Sequence, residues 1–407
     1  MARAGAIAEA MKIAIVGAGI GGLTAALALK NSGFTPVLFE RSALATEAGA
    51  GIQLSPNAVK VLFALGLREP LEAAAFEPKA VHLRGYRSGR LIAYRPLGLF
   101  SADRYGAPYF HIHREALHRL LRDAVSARGI PLHTGWACRG FTETADHVEV
   151  DCGEHEPVTA ELLLGADGLH STVRKSVAVD DVPRFTGMVA YRALVETADL
   201  PKKLIEPTAT VWMGPGRHLV HYYVDGGRRV NLVAVVEADT SREESWNRRA
   251  EIGELQAAFA GWHRRVRVLL DAARDVHQWA LYDRAPLPVW STKRTTLLGD
   301  AAHPMLPFLA QGAAMAMEDA WVLSRLLEHR EEDDIGPALD RYQRLRQLRT
   351  GKVAEASREQ GVMFHLRSPG ERLARNLKLG VGSRLLPDIA MAQYDWLHGY
   401  DPVRRFV

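Results

Sequence analysis

The sequence predicts a protein of the α/β (α+β) class that combines a Rossmann-like nucleotide-binding unit with a second, mostly antiparallel sheet. Short apolar runs lead into glycine-containing turns and helices at three places, Gly17–Gly22, Gly165–Gly168 and Leu297–Pro304. Gly187–Glu237 instead alternates apolar and polar residues, which is typical of strands with one buried face. We expect this sheet to be inserted between parts of the nucleotide-binding unit.

The first turn carries the sequence GAGIGG between the apolar run Ile13–Val16 and an Ala- and Leu-rich helix. Gly17 permits the tight turn, Gly19 lets the backbone approach a pyrophosphate, and Gly22 lets helix and strand pack closely. Glu40 ends the next apolar run, close to the spacing of about 20 residues expected for a carboxylate that binds ribose hydroxyls. This fingerprint predicts dinucleotide binding without discriminating FAD from NAD.

Periodicity and turn residues predict the other elements. They are a hairpin at Val81–Tyr94, a strand at Tyr109–His113, and helices at Arg114–Ala127, Glu251–Ala273, Gly312–Glu328 and Pro337–Arg358.

Three charged residues near the glycine turns have both a ligand-binding and a structural interpretation. Arg41 either faces a phosphate or lies on the surface. Arg114, at a strand-to-helix junction, suits a phosphate or a flavin edge, or else a helix-capping ion pair. Asp167 is a good N-cap residue, and capping alone could explain it.

The composition is that of a globular protein. The 407 residues are 47% hydrophobic, which is ample for a large core. The net charge of +4 is spread along the chain, and its basic stretches fit solvated helix faces better than a nucleic-acid site. Cys138 and Cys152 show no metal-ligand spacing, so we expect no metal, no disulfide and a cytoplasmic location. We also expect no membrane span and no signal peptide.

The three glycine motifs, in this order, resemble those of the single-component (group A) FAD-dependent aromatic hydroxylases, the class that includes para-hydroxybenzoate hydroxylase. Within the class, GAGIQLSPNA, RYGAPYFHIHREALH, YDRAPLPVW, HPMLPFLAQGAAMAMEDA and YDWLHGY look most like the salicylate hydroxylase, 3-hydroxybenzoate 6-hydroxylase and 6-hydroxynicotinate 3-monooxygenase group. The resemblance implies a Rossmann-like FAD-binding domain of the para-hydroxybenzoate hydroxylase type, an inserted substrate domain and C-terminal helices. The implied FAD-binding parts are residues 11–75, 111–180 and 286–330, the substrate-domain parts are 76–110 and 181–285, and the C-terminal helices and tail are 331–407.

The resemblance implies hydroxylation of a small phenolic acid with NADH or NADPH and O2, through a flavin C4a-hydroperoxide formed on FAD. A salicylate-like acid is the first choice of substrate. A 3-hydroxybenzoate 6-hydroxylase or 6-hydroxynicotinate 3-monooxygenase type of activity stays open, and so does a non-catalytic flavin-binding protein. A monomer or homodimer is expected, with neither nucleic acid nor membrane as a partner.

Together with Arg41, the residues that the resemblance places along FAD are the following: Gly17, Gly19, Gly22, Glu40, Gln53, Arg114, Asp167, Asp300, Gly312 and Ala313. Gly312 and Ala313 should direct backbone N–H groups to the N1–C2=O edge of the flavin. Reduced flavin carries negative charge at this edge, and a helix N-terminus stabilises such charge.

On the substrate side the resemblance points to His218 and Tyr222, which share one face of a predicted strand. A neutral His218 with a near-normal pKa would suit a phenol proton acceptor, and a structural histidine is the alternative. Pro307, Phe308 and Gln53 depart from residues of the 3-hydroxybenzoate and hydroxynicotinate enzymes, which favours a salicylate-like ring. The substrate carboxylate could meet any of four arginines, namely Arg84, Arg87, Arg90 and Arg192.

Overall fold

A computed structural model describes residues 10–43, 50–178, 182–238, 248–330, 334–385 and 387–406. Its strands are β1 (Lys12–Val16), β2 (Thr35–Glu40), β3 (Gly51–Leu54), β4 (Ala80–Gly85), β5 (Leu91–Pro96), β6 (Phe110–His113), β7 (Leu132–Thr134), β8 (Gly140–Glu143), β9 (Val148–Asp151), β10 (Val158–Ala160), β11 (Leu162–Gly165), β12 (Arg184–Glu196), β13 (Ala209–Gly214), β14 (Arg217–Val224), β15 (Arg229–Glu237), β16 (Arg248–Arg249), β17 (Arg274–Asp283) and β18 (Thr295–Leu297).

Its helices are α1 (Ile20–Asn31), α2 (Pro56–Ala64), α3 (Arg68–Ala74), α4 (Leu99–Tyr105), α5 (Arg114–Ala127), α6 (Thr172–Val177), α7 (Ile252–Ala258), α8 (Arg264–Ala272), α9 (Gly312–Glu328), α10 (Gly336–His365), α11 (Pro369–Leu385), α12 (Pro387–Ala392), α13 (Asp395–His398) and α14 (Pro402–Arg405). Within the described ranges, no helix is both long and apolar enough to cross a membrane.

Five strands form a parallel sheet in the order β18-β11-β1-β2-β7. Residues 13–16 of β1 and 162–164 of β11 are continuous apolar runs with buried side chains, as expected for a parallel sheet covered on both faces. Since β18, β11 and β1 are neighbours, the turns that follow them lie side by side at the carboxyl edge of the sheet. This edge is where open α/β sheets bind their ligands.

The second sheet has eight strands in the order β16-β17-β12-β15-β14-β13-β4-β5. Its neighbours are antiparallel except for β13 and β4, which run parallel. The predicted mostly antiparallel sheet is therefore present, and the predicted hairpin forms its β4–β5 edge. The predicted α/β (α+β) class is confirmed.

Three elements differ from the sequence-based expectation. The helix expected over Glu251–Ala273 is two helices, α7 and α8, because Gly261 between them adopts a left-handed φ of 75°. The helix expected over Pro337–Arg358 continues to His365. Strand β17 was not predicted, although it pairs with β12 inside the second sheet.

A short antiparallel ribbon of β3 and β6 connects the two sheets. The backbone N–H of Gly51 on β3 donates to Oδ1 of Asn231 on β15, at 2.7 Å. After β3 the chain enters α2, which packs against α9, and α9 packs against α1 beside the parallel sheet. The face of the second sheet that carries Asn231 is thereby held close to the start of α9.

Candidate functional site

In the glycine turn after β1, two glycines are required by close contacts within the protein, and a third faces open space. Gly17 has a φ of 102°, and a Cβ there would collide with the backbone of Ala166. A Cβ at Gly22 would collide with the carbonyl oxygen of Gly17. A Cβ at Gly19 would meet no other described residue within 4 Å beyond its chain neighbours, so the space beside it is available to a ligand.

Glu40 lies directly against this turn. Its Oε2 accepts from the backbone N–H of Ala18 at 2.9 Å, and its Oε1 accepts from the N–H of Ser42 at the same distance. Each carboxylate oxygen can accept a further hydrogen bond, so Glu40 can orient the turn and still bind a hydroxyl group. Arg41 is exposed beside it.

Two helices begin at the site without a side-chain cap. Neither α1 nor α9 has a capping side-chain hydrogen bond or an acidic residue in its first turn. Their first backbone N–H groups and the positive end of each helix dipole can therefore bind an anion. At α9, an ideal Cβ on Gly312 would lie 3.9 Å from Oδ1 of Asp300, so these two predicted residues are close together.

Asp167 makes capping contacts. Its carboxylate accepts from the Ser171 hydroxyl at 2.5 Å and from the N–H groups of Thr172 and Val173 at 2.7 and 3.2 Å. The structural interpretation of Asp167 accounts for these contacts, and a cofactor contact stays a prediction. Arg114 is the first residue of α5, and its N–H donates to the carbonyl of Ala50 at 2.8 Å.

A buried ion network, which the sequence analysis missed, supports the loop after β18. Asp319 on α9 accepts from the N–H of Gly299 at 3.0 Å, from Nε2 of His303 at 2.5 Å and from Nε of Arg346 at 2.6 Å. Burial raises the pKa of Asp319, but His303 and Arg346 outweigh it and lower that pKa below its usual range. The acidic pair inside the apolar stretch MAMEDAWVL was the signal available in the sequence.

The same network reaches the start of α9. Glu318 accepts from Arg346 at 2.8 Å and from the amide of Asn57 on α2 at 2.7 Å. The side-chain amide of Gln311, just before α9, donates to Ser55 at 2.9 Å. The N-terminus of α9 is therefore fixed to the end of the β3 ribbon through buried polar contacts.

One face of the second sheet carries the predicted substrate residues. The pairing of β14, β15 and β12 aligns His218 with Val235 and Ala190, Val220 with Val233 and Arg192, and Tyr222 with Asn231 and Leu194. Because side chains alternate along a strand, His218, Tyr222, Arg192 and Asn231 share this face.

The sheet strands also place the other arginines. Arg84 forms an ion pair with Glu206 at 2.9 Å and pairs across strands with Trp212, which belongs to the hydrophobic cluster on the other face. Arg87 and Arg90 are exposed at the β4–β5 turn. Among the four candidates, Arg192 is therefore the one on the face of His218.

Tyr222 belongs to a polar and aromatic cluster between the sheet and the ribbon. Its side chain is within hydrogen-bonding reach of Gln53, which also accepts from the Tyr109 hydroxyl at 2.9 Å. The ring of His111 lies 4.5 Å from that of Tyr222. Burial raises the pKa of both tyrosines and lowers the pKa of His111 to about 3, so all three are neutral near pH 7. Tyr109 and His111 were missed because only their strand, not their role, was predicted.

His218 is buried and contacts a second histidine. Its Nδ1 lies 2.7 Å from Nε2 of His365, the last residue of α10, which leaves Nε2 of His218 for a ligand. Burial, and then His365, hold the pKa of His218 well below its usual value, so the expectation of a near-normal pKa is wrong. The ring of Phe308 lies 5.6 Å away, and Pro307 beside it is exposed.

Comparison with known proteins agrees with this geometry. Residues 10–357 match a family model described as an FAD-binding domain. The chain is 39% identical over 390 residues to a 3-amino-4-hydroxybenzoate 2-monooxygenase of Streptomyces platensis, covering 96% of each chain. It is 36% identical to a 3-hydroxybenzoate 6-hydroxylase of Klebsiella oxytoca, covering 91% of this chain and 93% of the relative. A solved salicylate hydroxylase substrate complex superposes with a TM-score of 0.81 at 28% identity, over 97% of this chain and 96% of that one.

The chain belongs to the FAD-binding family that this model describes. Its relatives are monooxygenases and hydroxylases of hydroxylated aromatic acids, so the predicted flavoprotein monooxygenase class and its FAD cofactor are confirmed.

Proposed function

We propose that this protein hydroxylates a small hydroxylated aromatic acid, using NADH or NADPH and O2. The observation that carries the proposal is the shared sheet face, on which a histidine, a tyrosine and an arginine lie opposite the start of α9. A phenolic acid has a hydroxyl group and a carboxylate, and these side chains match both.

The residues present fit FAD. The open side of Gly19, the uncapped start of α1 and the carboxylate of Glu40 suit the ADP half, with Gly17 and Gly22 shaping the turn and Arg41 beside it. The residues proposed to lie along the rest of the cofactor are Gln53, Arg114, Asp167, Asp300, Gly312 and Ala313. When bound, FAD would supply the activation of O2 and the oxygen atom transferred to the ring.

The side chains on the sheet face would bind and orient the substrate. Nε2 of His218 would accept the phenolic proton, which makes the ring more nucleophilic, and the Tyr222 hydroxyl, farther along the same strand face, would donate to another polar group of the substrate. Arg192 would pair with the carboxylate. Phe308 and Pro307 would form the wall next to the cofactor and help exclude water.

A salicylate-like acid stays the first candidate on the grounds of Gln53, Pro307 and Phe308. The relatives named above add 3-hydroxybenzoate and 3-amino-4-hydroxybenzoate, and 6-hydroxynicotinate completes the set. The test is oxidation of NADH and NADPH by the FAD-loaded protein with each acid, together with product masses. We expect one acid to stimulate oxidation and to yield a product that gains one oxygen or exchanges its carboxylate for a hydroxyl.

A non-catalytic flavin-binding protein is the alternative outcome. It would bind FAD, yet none of the four acids would accelerate the oxidation of either nicotinamide cofactor. Stimulated oxidation that yields only hydrogen peroxide would show that the ring binds but is the wrong substrate.

The role of Arg192 has its own test. Arg192→Gln should raise the KM of the acid by about 10-fold or more, since a charge-assisted hydrogen bond contributes about 1.5–3 kcal/mol. Arg90→Gln, at the exposed β4–β5 turn, is the matched control and should leave KM unchanged. An unchanged KM in Arg192→Gln would remove the carboxylate assignment.

The proposal also includes a cytoplasmic location, a monomeric or homodimeric state and the domain division given above. Light scattering of the purified FAD-loaded protein would give the oligomeric state, and a tetramer or larger assembly would contradict this part.

A further inference from the structure

The contact between His218 and His365 continues toward the surface. Nδ1 of His365 lies 3.5 Å from Oε1 of Glu237, at the end of β15. Glu237 in turn accepts from Nε of Arg367 at 2.9 Å, and Arg367 is exposed. Relative exposure rises from 2% at His218 and 6% at His365 to a side chain of Glu237 that is 30% exposed.

The chemistry of the two rings suits proton passage. A neutral imidazole carries one N–H and one acceptor nitrogen, so two imidazoles joined at 2.7 Å share one hydrogen. Burial lowers the pKa of His365 to about 4, despite the opposing charge of Glu237. Neither ring therefore keeps an extra proton, as a charged imidazolium, for long at neutral pH.

Charged groups from three elements face this pair. Glu237 on β15 attracts a proton toward His365, whereas Arg217 on β14 and Arg367 after α10 repel one. Around His218 the neighbours are the rings of Phe308 and Phe364, at 5.6 and 4.9 Å, together with His365. Among these contacts of the described residues, only His365 offers His218 a nitrogen that can take up a proton.

We propose that His218, His365 and Glu237 form a proton relay from the substrate site to solvent, an inference that rests on the proposed function. The phenolic hydroxyl gives its proton to Nε2 of His218 while Nδ1 of His218 gives one to Nε2 of His365. Nδ1 of His365, which lies 3.5 Å from Glu237 and makes no aligned hydrogen bond to it, then gives one to the Glu237 carboxylate after a small rotation of the side chains, and Glu237 releases it to water. One proton enters and one leaves, and the reverse transfer after hydroxylation restores both tautomers. His365 and Glu237 act through His218 and are positioning residues.

The first test follows proton release. The FAD-loaded protein and the accepted acid are mixed rapidly, without a nicotinamide cofactor, in a weakly buffered solution that contains a pH indicator. The indicator then reports the release of protons as the acid binds. We expect Glu237→Gln and His365→Gln to slow release at least 10-fold, with FAD content and acid affinity retained. Added formate should restore the rate in Glu237→Gln, because a small base can replace the lost carboxylate. Glu149→Gln, exposed on β9, is the matched control.

The second test needs no substrate. In 15N-histidine-labelled FAD-loaded protein, exchange of the His365 and His218 ring N–H protons with solvent should slow at least 10-fold in Glu237→Gln. If an acid is turned over but Glu237→Gln alters neither release nor exchange, the relay is wrong. If no acid is turned over yet exchange still slows, the proposed function fails and the relay stands as a proton path.

Discussion

Replacing Gly19 by Ala separates the cofactor role of the glycine turn from its structural role. Gly19 is the N-cap of α1, with φ of −70° and ψ of −176°, a conformation that alanine adopts without strain. Apart from its chain neighbours, the added methyl group meets no atom of the described residues within 4 Å. Any loss of FAD affinity in this variant must therefore come from a ligand that occupies the open space.

The expected magnitudes follow from this geometry. Alanine at the N-cap lowers the free energy of unfolding by up to about 1 kcal/mol relative to glycine. Alanine also reduces the entropy of the unfolded chain, which raises this free energy by about 0.4–1 kcal/mol, so the net change in stability should be small. A methyl group would displace a phosphate oxygen from the turn and lose one charge-assisted hydrogen bond, about 1.5–3 kcal/mol. We therefore expect FAD to bind about 10- to 100-fold more weakly.

Gly22→Ala is the contrasting variant. Its Cβ would collide with the carbonyl oxygen of Gly17, so the free energy of unfolding of the apoprotein should fall by about 3 kcal/mol or more. Denaturant unfolding of both apoproteins and titration with FAD measure the two effects. If Gly19→Ala binds FAD as tightly as the original chain, the backbone does not approach the cofactor there. If Gly19→Ala unfolds as easily as Gly22→Ala, the added methyl group collides with the protein and the space beside Gly19 is not open to a ligand.

Three further outcomes are expected. Asp319→Asn should lower the free energy of unfolding by about 3 kcal/mol, because it leaves a buried charge on Arg346 less well paired, and denaturant unfolding would show it. Stability should be full above about pH 6.5 and fall on acidification, because unfolded imidazoles take up protons there while buried ones do not. The pKa is lowered by burial to about 3 at each of His111, His221 and His398. Each of these histidines should lower the free energy of unfolding by about 2 kcal/mol between pH 7 and pH 5. In His221→Phe the free energy of unfolding should therefore change with pH less steeply, by about 1.4 kcal/mol per pH unit, and an unchanged slope would contradict this. Tyr222→Phe should slow hydroxylation about 10-fold while FAD stays bound, measured as product formed per unit time.

Local sequence predicted those elements whose pattern is decided within a few residues. Helix α5 was predicted with its observed bounds, and β13, β14 and β15 lie within Gly187–Glu237, the region predicted to form strands. Strand β17 was missed because four consecutive residues, Gln278–Leu281, are buried, so the strand lacks the alternation that marks a half-buried strand. The pattern of a strand buried among others does not show which strand it pairs with.

The site divides in the same way. Gly17, Gly22 and Glu40 lie close together because a βαβ unit fixes their geometry by itself. His365 and Arg192 could not be assigned from sequence, because their positions depend on a helix terminus and on the register of three strands. Long-range register is set by tertiary packing, which a single sequence does not display.

The buried network also determines the charge at the start of α9. Glu318 and Asp319 lie in the second turn of this helix, where two uncompensated carboxylates would oppose the partial positive charge of its N-terminus. Arg346 and Arg349 from α10 pair with them at 2.6–3.0 Å, so the four side chains sum to zero charge. Glu318 and Asp319 therefore do not counteract the helix dipole at the free N–H groups near Gly312. The ion pairs therefore fix the loop before the helix and preserve the attraction of its N-terminus for an anionic cofactor edge.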